Sequence, residues 1–277
     1  MTGRDILTRQ PPEPDKRVWY GGYPQKFIDL RFPKGTGPFP VLLVLHGGFW
    51  MSEYDAAHMA HLCAQFTSLG AITCNIEYRR VGDAGGGWPG TFQDVAAAAD
   101  YISNRMSMDV RFDRGRTVAL GFSAGGHLAL WLAGRHKVAE GFGLMSGHKG
   151  LLSGVISLAG LADLQSASKL RLGDGAVDLL MGGSPEEFPG RYRAASPIEL
   201  LPIGVKQILI HGVEDEIVPV SQSEGFAERA KSAGDDPELF KLDGTGHFEL
   251  ADPESDAWPT VSRASLQVLK AGGDFVE

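Results

Sequence analysis

Along the chain, short unbroken apolar runs trade places with stretches whose apolar residues recur every three or four positions, a pattern of buried strands alternating with helices. Positions 41–45 read VLLVL, which suits a central strand covered on both faces. Upstream, KFIDLRF at 26–32 alternates apolar and polar residues and predicts a half-exposed strand. The turn-rich PKGTGPFP that follows predicts a hairpin joining the two. Residues 55–69 carry apolar positions at helical spacing and Gly70 stops them, after which 71–76 read as another buried strand. The pattern continues with a helix over 92–106, a strand at 118–120, a helix over 124–133 and a strand at 154–159. Later come a strand at 207–210, helices near 221–232 and 258–270, and a strand between them at 238–242. Strict alternation of this kind predicts an α/β fold, a mostly parallel sheet with helices on both faces joined by right-handed crossovers.

Three segments break the rhythm. Residues 1–24 are rich in proline and charge, including Pro11, Pro12 and Pro14, and read as an extended arm preceding a single domain over 25–277. Residues 161–204 hold short helical pieces interrupted by glycines and prolines and predict a small cap-like insertion over the carboxyl edge of the sheet. The glycine-rich stretch 81–90, with Trp88 inside it, reads as a flexible loop placed to cover a site.

Composition narrows the function. At 277 residues, 43% hydrophobic and 22% charged, the chain matches an ordinary globular enzyme. A net charge of −8 without any basic run argues against nucleic acid as a partner. No stretch is long and apolar enough for a bilayer, and the first residues lack the apolar core of a signal peptide, so the expectation is a cytoplasmic protein with no membrane association. Cys63 and Cys74 have no metal-ligand spacing and read as buried thiols. No metal or organic cofactor has a motif. Oligomeric state has no signature in the sequence.

The candidate chemistry centres on 117–130, TVALGFSAGGHLAL, where a strand breaks into glycines around Ser123 and resumes as a helix. The G-x-S-x-G of Gly121, Ser123 and Gly125 is weak as a pentapeptide but gains from its strand–turn–helix setting. A neutral serine hydroxyl needs an imidazole to take its proton and an acid to orient that imidazole. His247, in GTGHF at 244–248, follows a predicted strand. Three acids crowd the loop of HGVEDEIVP at 211–219. Asp215 holds the acid position of an H-G-x-x-D-x-x-V-P pattern, with Glu214 and Glu216 as alternatives and Asp163 as a more remote one.

In this order, HGGFW at 46–50, GFSAGG at 121–126, HGVEDEIVP and GTGHF resemble the α/β-hydrolase fold from about Lys26 onward. The resemblance is to serine hydrolases of the esterase and lipase branch. It implies Ser123, His247 and Asp215 as the triad and the N–H groups of Gly48, Phe49 and Ala124 as the oxyanion hole, with His46 bracing the loop. Hormone-sensitive-lipase-like esterases carry HGGG and GDSAGG, where this chain has Phe49 and Phe122. HGG followed by two aromatics looks more like kynurenine formamidase (arylformamidase) and related small carboxylesterases. Prolyl-oligopeptidase-type peptidases share the HG-x-x-D motif but carry a large propeller domain.

What the resemblance implies is acyl transfer through an acyl-enzyme on a small or aromatic carboxylic ester, with an N-formyl aromatic amide as the alternative substrate. A peptidase or a non-catalytic protein on the same fold is a weaker reading, since all three triad positions are filled. Imidazole catalysis further implies activity that falls on the acid side of about pH 6.5. Trp50 and Trp88 are candidate substrate-binding aromatics, with core packing as the competing role.

Overall fold

The computed structural model describes residues 3–106, 108–139, 142–144 and 150–270. Its centre is β3 (Phe39–Leu45), flanked by β4 (Ile72–Ile76) and β5 (Phe112–Phe122) as parallel neighbours. Within β3, Leu42 and Val44 belong to one apolar cluster, and Val41, Leu43 and Leu45 to the other. Both faces of the strand are therefore sealed, which is why every one of its positions is apolar.

Among the described residues, eight strands form one sheet. With β1 (Lys16–Trp19), β2 (Phe27–Arg31), β6 (Gly154–Leu158), β7 (Lys206–Gly212) and β8 (Glu238–Leu242), the order is β1-β2-β4-β3-β5-β6-β7-β8. All pairings from β4 to β8 are parallel, and β1 and β2 are antiparallel additions at one edge. Helices α1 (Ala60–Ser68) and α8 (Trp258–Lys270) cover one face. On the other lie α2 (Gly90–Met106) and α3 (Ala124–Gly134), joined by the helices between β6 and β7. Those are α4 (Leu164–Lys169), α5 (Leu172–Met181) and α6 (Pro189–Ala195); α7 (Ser221–Ala233) then links β7 to β8. Among the described residues, no helix is long and apolar enough to cross a membrane.

Two expectations change. The hairpin expected between β2 and β3 does not form, because β4 lies between them, and the hairpin partner of β2 is β1. A strand apolar on both faces belongs deep in the sheet, whereas β2 carries Asp29 and Arg31 and belongs near its edge. There Arg17 of β1 holds Asp29 with two hydrogen bonds of 2.7 and 2.8 Å, and Arg31 donates to the Pro12 carbonyl at 2.6 Å. The expected arm over 1–24 is thus partly a strand of the sheet. Both cysteines are buried and unbridged.

Candidate active site

The site is assembled at the carboxyl ends of β3, β5, β7 and β8. Ser123 follows β5 and occupies the N-cap position of α3, with φ 55° and ψ −119°, a conformation that costs a non-glycine residue on the order of 1–3 kcal/mol and persists only where its surroundings enforce it. The enforcement is visible. The Ser123 N–H donates to the Leu158 carbonyl at 2.7 Å, and its own carbonyl accepts from His127 N–H in the first turn of α3. Glycine is obligatory on both sides, since a Cβ on Gly121 would lie 1.9 Å from the Gly125 oxygen and one on Gly125 would lie 2.0 Å from the Leu45 oxygen. The turn therefore tucks α3 against the end of β3 and leaves the serine side chain at the helix N-terminus, where unpaired N–H groups and the helix dipole favour negative charge.

His247 follows β8 at the start of a single 3-10 turn, Phe248–Leu250. Its Nδ1–H donates to Asp215 Oδ2 at 2.6 Å, which leaves Nε2 as the free basic nitrogen. The ring lies 4.8 Å from that of Phe122 and 5.3 Å from that of Phe248. Ser123 and His247 line one cavity of about 520 Å³ together with Gly48 and Phe49.

Asp215 is the one acid of its loop that reaches the histidine; Glu214 and Glu216 are exposed. Its Oδ1 accepts from the N–H groups of Ile217 at 2.9 Å and Val218 at 2.8 Å. His211 Nε2–H donates to the Val218 carbonyl at 2.9 Å and lies 3.3 Å from Asp215 Oδ2, while Ser223 Oγ–H donates to His211 Nδ1 at 2.8 Å. Burial works against ionisation of Asp215, but the hydrogen bonds from His211 and His247 outweigh it and hold the carboxyl well below its usual range. Asp163 instead caps α4, accepting from Ser166 N–H at 3.0 Å.

Three consecutive residues after β3, Gly48, Phe49 and Trp50, have positive φ of 106°, 48° and 58°. This turns the backbone N–H groups of Gly48 and Phe49 away from regular pairing, and neither donates to any atom among the described residues. Several contacts hold the loop. Tyr78 stacks on His46 at 4.2 Å and donates to its carbonyl at 2.7 Å, His46 lies 3.0 Å from Glu77, and Met51 bridges to Val81. His46 is fully buried in this brace. His58 also borders the cavity and accepts from Gly47 N–H at 3.4 Å; burial, with His46 nearby, lowers its pKa to about 3.

The two tryptophans lie elsewhere. Trp50 is fully buried, edge-on to His127 at 5.1 Å, and Trp88 packs against Phe92 and Phe142. Neither is among the described residues that line the cavity around Ser123, so the structure places both in the packing role that competed with substrate binding. Residue 50 has the backbone twist that turns its side chain back under the loop, and the 81–90 segment docks on α5 through Trp88 N–H to the Leu180 carbonyl at 2.7 Å. Phe49, Tyr54, Phe122 and Phe248 supply the aromatic wall instead. Gly173 and Asp174, at the start of α5, also reach the cavity, so part of the 161–204 insertion does border it. Arg4 and Leu7 do too, although they are more than a hundred residues from the serine, and no local signal marked them. The support of Asp215 by His211 was within reach of the motif that names both, but not its geometry. Among the described residues, no group of three or more histidines, cysteines or acids is placed to hold a metal ion.

Known proteins share this arrangement of chain. Residues 28–230 match the BD-FAE family. Esterase LipC of Mycobacterium tuberculosis is 29% identical over 252 residues, covering 86% of this chain and 60% of its own length. A probable isoprenylcysteine alpha-carbonyl methylesterase, ICMEL1 of Arabidopsis thaliana, is 27% identical, covering 85% of this chain and 51% of its own length. The chain thus spans between about half and three-fifths of these curated relatives. Among solved structures, a truncated carbohydrate esterase from gut microbiota superposes with a TM-score of 0.78 at 23% identity, covering 95% of this chain and all of its own. Thermogutta terrifontis esterase 2 gives 0.74 at 22% identity, covering 95% and 98% of the two chains. Both solved structures share the α/β-hydrolase fold of this chain.

Proposed function

The chain belongs to the BD-FAE family, and from that premise we propose that it is a serine hydrolase of small or aromatic carboxylic esters, working through Ser123, His247 and Asp215. The observation that carries this reading is the convergence of Ser123 and His247 on one cavity, with the imidazole backed by a buried carboxylate. His247 Nε2 takes the Ser123 proton as the oxygen attacks the ester carbonyl, and Asp215 holds the tautomer and stabilises the imidazolium. Free N–H groups of Gly48 and Phe49, with that of Ala124 at the first position of α3, receive the oxyanion. Each such donor lowers the barrier by about 3 kcal/mol. His247 then returns its proton to the leaving alkoxide, and water, activated by the same nitrogen, releases the acid. The relatives named as esterases support the reaction class.

The aromatic wall of Phe49, Tyr54, Phe122 and Phe248 suits an aromatic group, and an N-formyl aromatic amide is the second substrate to test. Rates on p-nitrophenyl acetate through octanoate and on an N-formylated aromatic amine separate the two. Ser123→Ala is expected to abolish turnover of every cleaved substrate while unfolding as the unaltered chain does. Retained hydrolysis by that variant would remove Ser123 from its role.

A further inference from the structure

Residues 3–9 precede the stretch matched to the family, yet two of them, Arg4 and Leu7, form part of the cavity wall. Arg4–Leu7 make a single 3-10 turn whose Ile6 is fully buried. The turn is seated on the residues that follow His247. A Cβ built on Gly3 would lie 3.0 Å from the Glu249 nitrogen and 3.1 Å from Phe248 Cβ, so nothing larger fits there without movement. The Arg4 guanidinium stands 5.6 Å from the centre of the Phe248 ring. Arg9 closes the clamp, donating to the two carboxylate oxygens of Asp252 at 2.9 and 2.8 Å, with Glu254 at 3.4 Å. Bidentate pairing of this kind fixes orientation as well as proximity. Beyond the clamp, Pro11, Pro12 and Pro14 carry the chain away in extended form.

The side of the cavity matters. In ester hydrolysis the imidazole must pass a proton to the leaving oxygen, so the alcohol portion of the substrate lies beside His247, while the carbonyl oxygen points to the N–H groups of Gly48 and Phe49. Arg4 stands over Phe248, next to the imidazole, and Leu7, from the same 3-10 turn, lines the same cavity. We infer that the Arg4–Leu7 turn is the wall limiting the alcohol portion of the ester, with Leu7 as the residue that sets its size. This rests on the serine-esterase reading of the same cavity.

The test uses the full chain with Leu7→Ala and with Arg9→Ala, which releases the clamp without touching the cavity lining. One substrate series is phenyl, 1-naphthyl and 4-biphenylyl acetate, varying the alcohol. The other is p-nitrophenyl acetate, butyrate and octanoate, varying the acid. Side-chain-sized changes in an apolar pocket shift kcat/KM by about tenfold or more, so the biphenylyl-to-phenyl ratio is expected to rise by about that factor in both variants. The octanoate-to-acetate ratio is expected to stay in place. Hydrogen exchange of the 248–251 amides should speed up in Arg9→Ala. An active enzyme whose alcohol ratio does not move, whose acyl ratio moves instead, or whose 248–251 exchange is unchanged overturns the wall. Failure of the unaltered chain to cleave any ester of either series overturns the esterase reading itself, and the alcohol assignment with it.

Discussion

Asp215 has fixed partners on both carboxylate oxygens, two backbone N–H groups on one and two histidines around the other. An acid held in this way stays ionised and cannot rotate, which is what an imidazole needs if its Nδ1 is to keep the proton and its Nε2 is to stay free. Asp215→Asn presents a donor where His247 requires an acceptor and reverses the tautomer. The expected result is a loss in kcat of about 10⁴-fold with KM little changed, read from steady-state rates on an ester that the unaltered enzyme cleaves. A loss under about tenfold would pass the orienting role to another acid. Phe122 packs on the imidazole at 4.8 Å. It sets an apolar surface beside Ser123 that confines the His247 ring.

At the scale of the element, the elbow works because strand, turn and helix approach more closely than side chains allow. Gly121 and Gly125 are not interchangeable with alanine, since the atoms a methyl group would meet are backbone oxygens of α3 and β3 that cannot swing aside. Gly125→Ala is expected to cost more than about 3 kcal/mol of stability, placing it in the rare severe class of single substitutions. Urea unfolding measures it directly, and a cost below about 1 kcal/mol would show that α3 can retreat from the end of β3. The Gly48–Trp50 loop follows a different logic. Its strain is held by the buried His46, Glu77 and Tyr78 brace, and the twist that turns two N–H groups away from pairing is the one that sends the Trp50 side chain inward.

For the whole molecule, buried titratable groups tie stability to pH. His127 sits fully buried on α3, donating to the Ala195 carbonyl at 3.0 Å, and burial lowers its pKa to about 4; His58 is lowered to about 3. In the unfolded chain both protonate near pH 6.5. Below that value the unfolded state binds more protons than the folded one, so stability falls as pH falls, by up to about 1.4 kcal/mol per pH unit for each histidine. This loss continues until the folded pKa is reached. Asp215 adds its own part lower down: its depressed pKa stabilises the fold above about pH 4, and that contribution is lost as pH drops further. Urea midpoints are therefore expected to be lower at pH 5 than at pH 7, with a smaller difference in His127→Gln. Equal midpoints at the two values would contradict the buried neutral histidines.

Local pattern was sufficient for most of the architecture. A short apolar run such as VLLVL, rich in valine and bounded by turn residues, favours a strand sealed on two sides, and a glycine–serine–glycine turn between strand and helix admits few geometries, so the α/β order and the candidate residues Ser123, Asp215 and His247 are legible along the chain. Partners separated by long loops were not. Nothing near Lys16–Trp19 announces that it pairs with β2 in place of β3, since strand neighbours are chosen by how much of each face the completed sheet can bury. Trp50 and Trp88 carry the same composition whether they face a cavity or a core, and the backbone twist and the α5 docking that turn them inward are properties of the packed molecule. Arg4 and Leu7 reach the cavity beside Ser123 because the Arg9–Asp252 clamp joins residues 243 positions apart, a contact that no window of sequence contains.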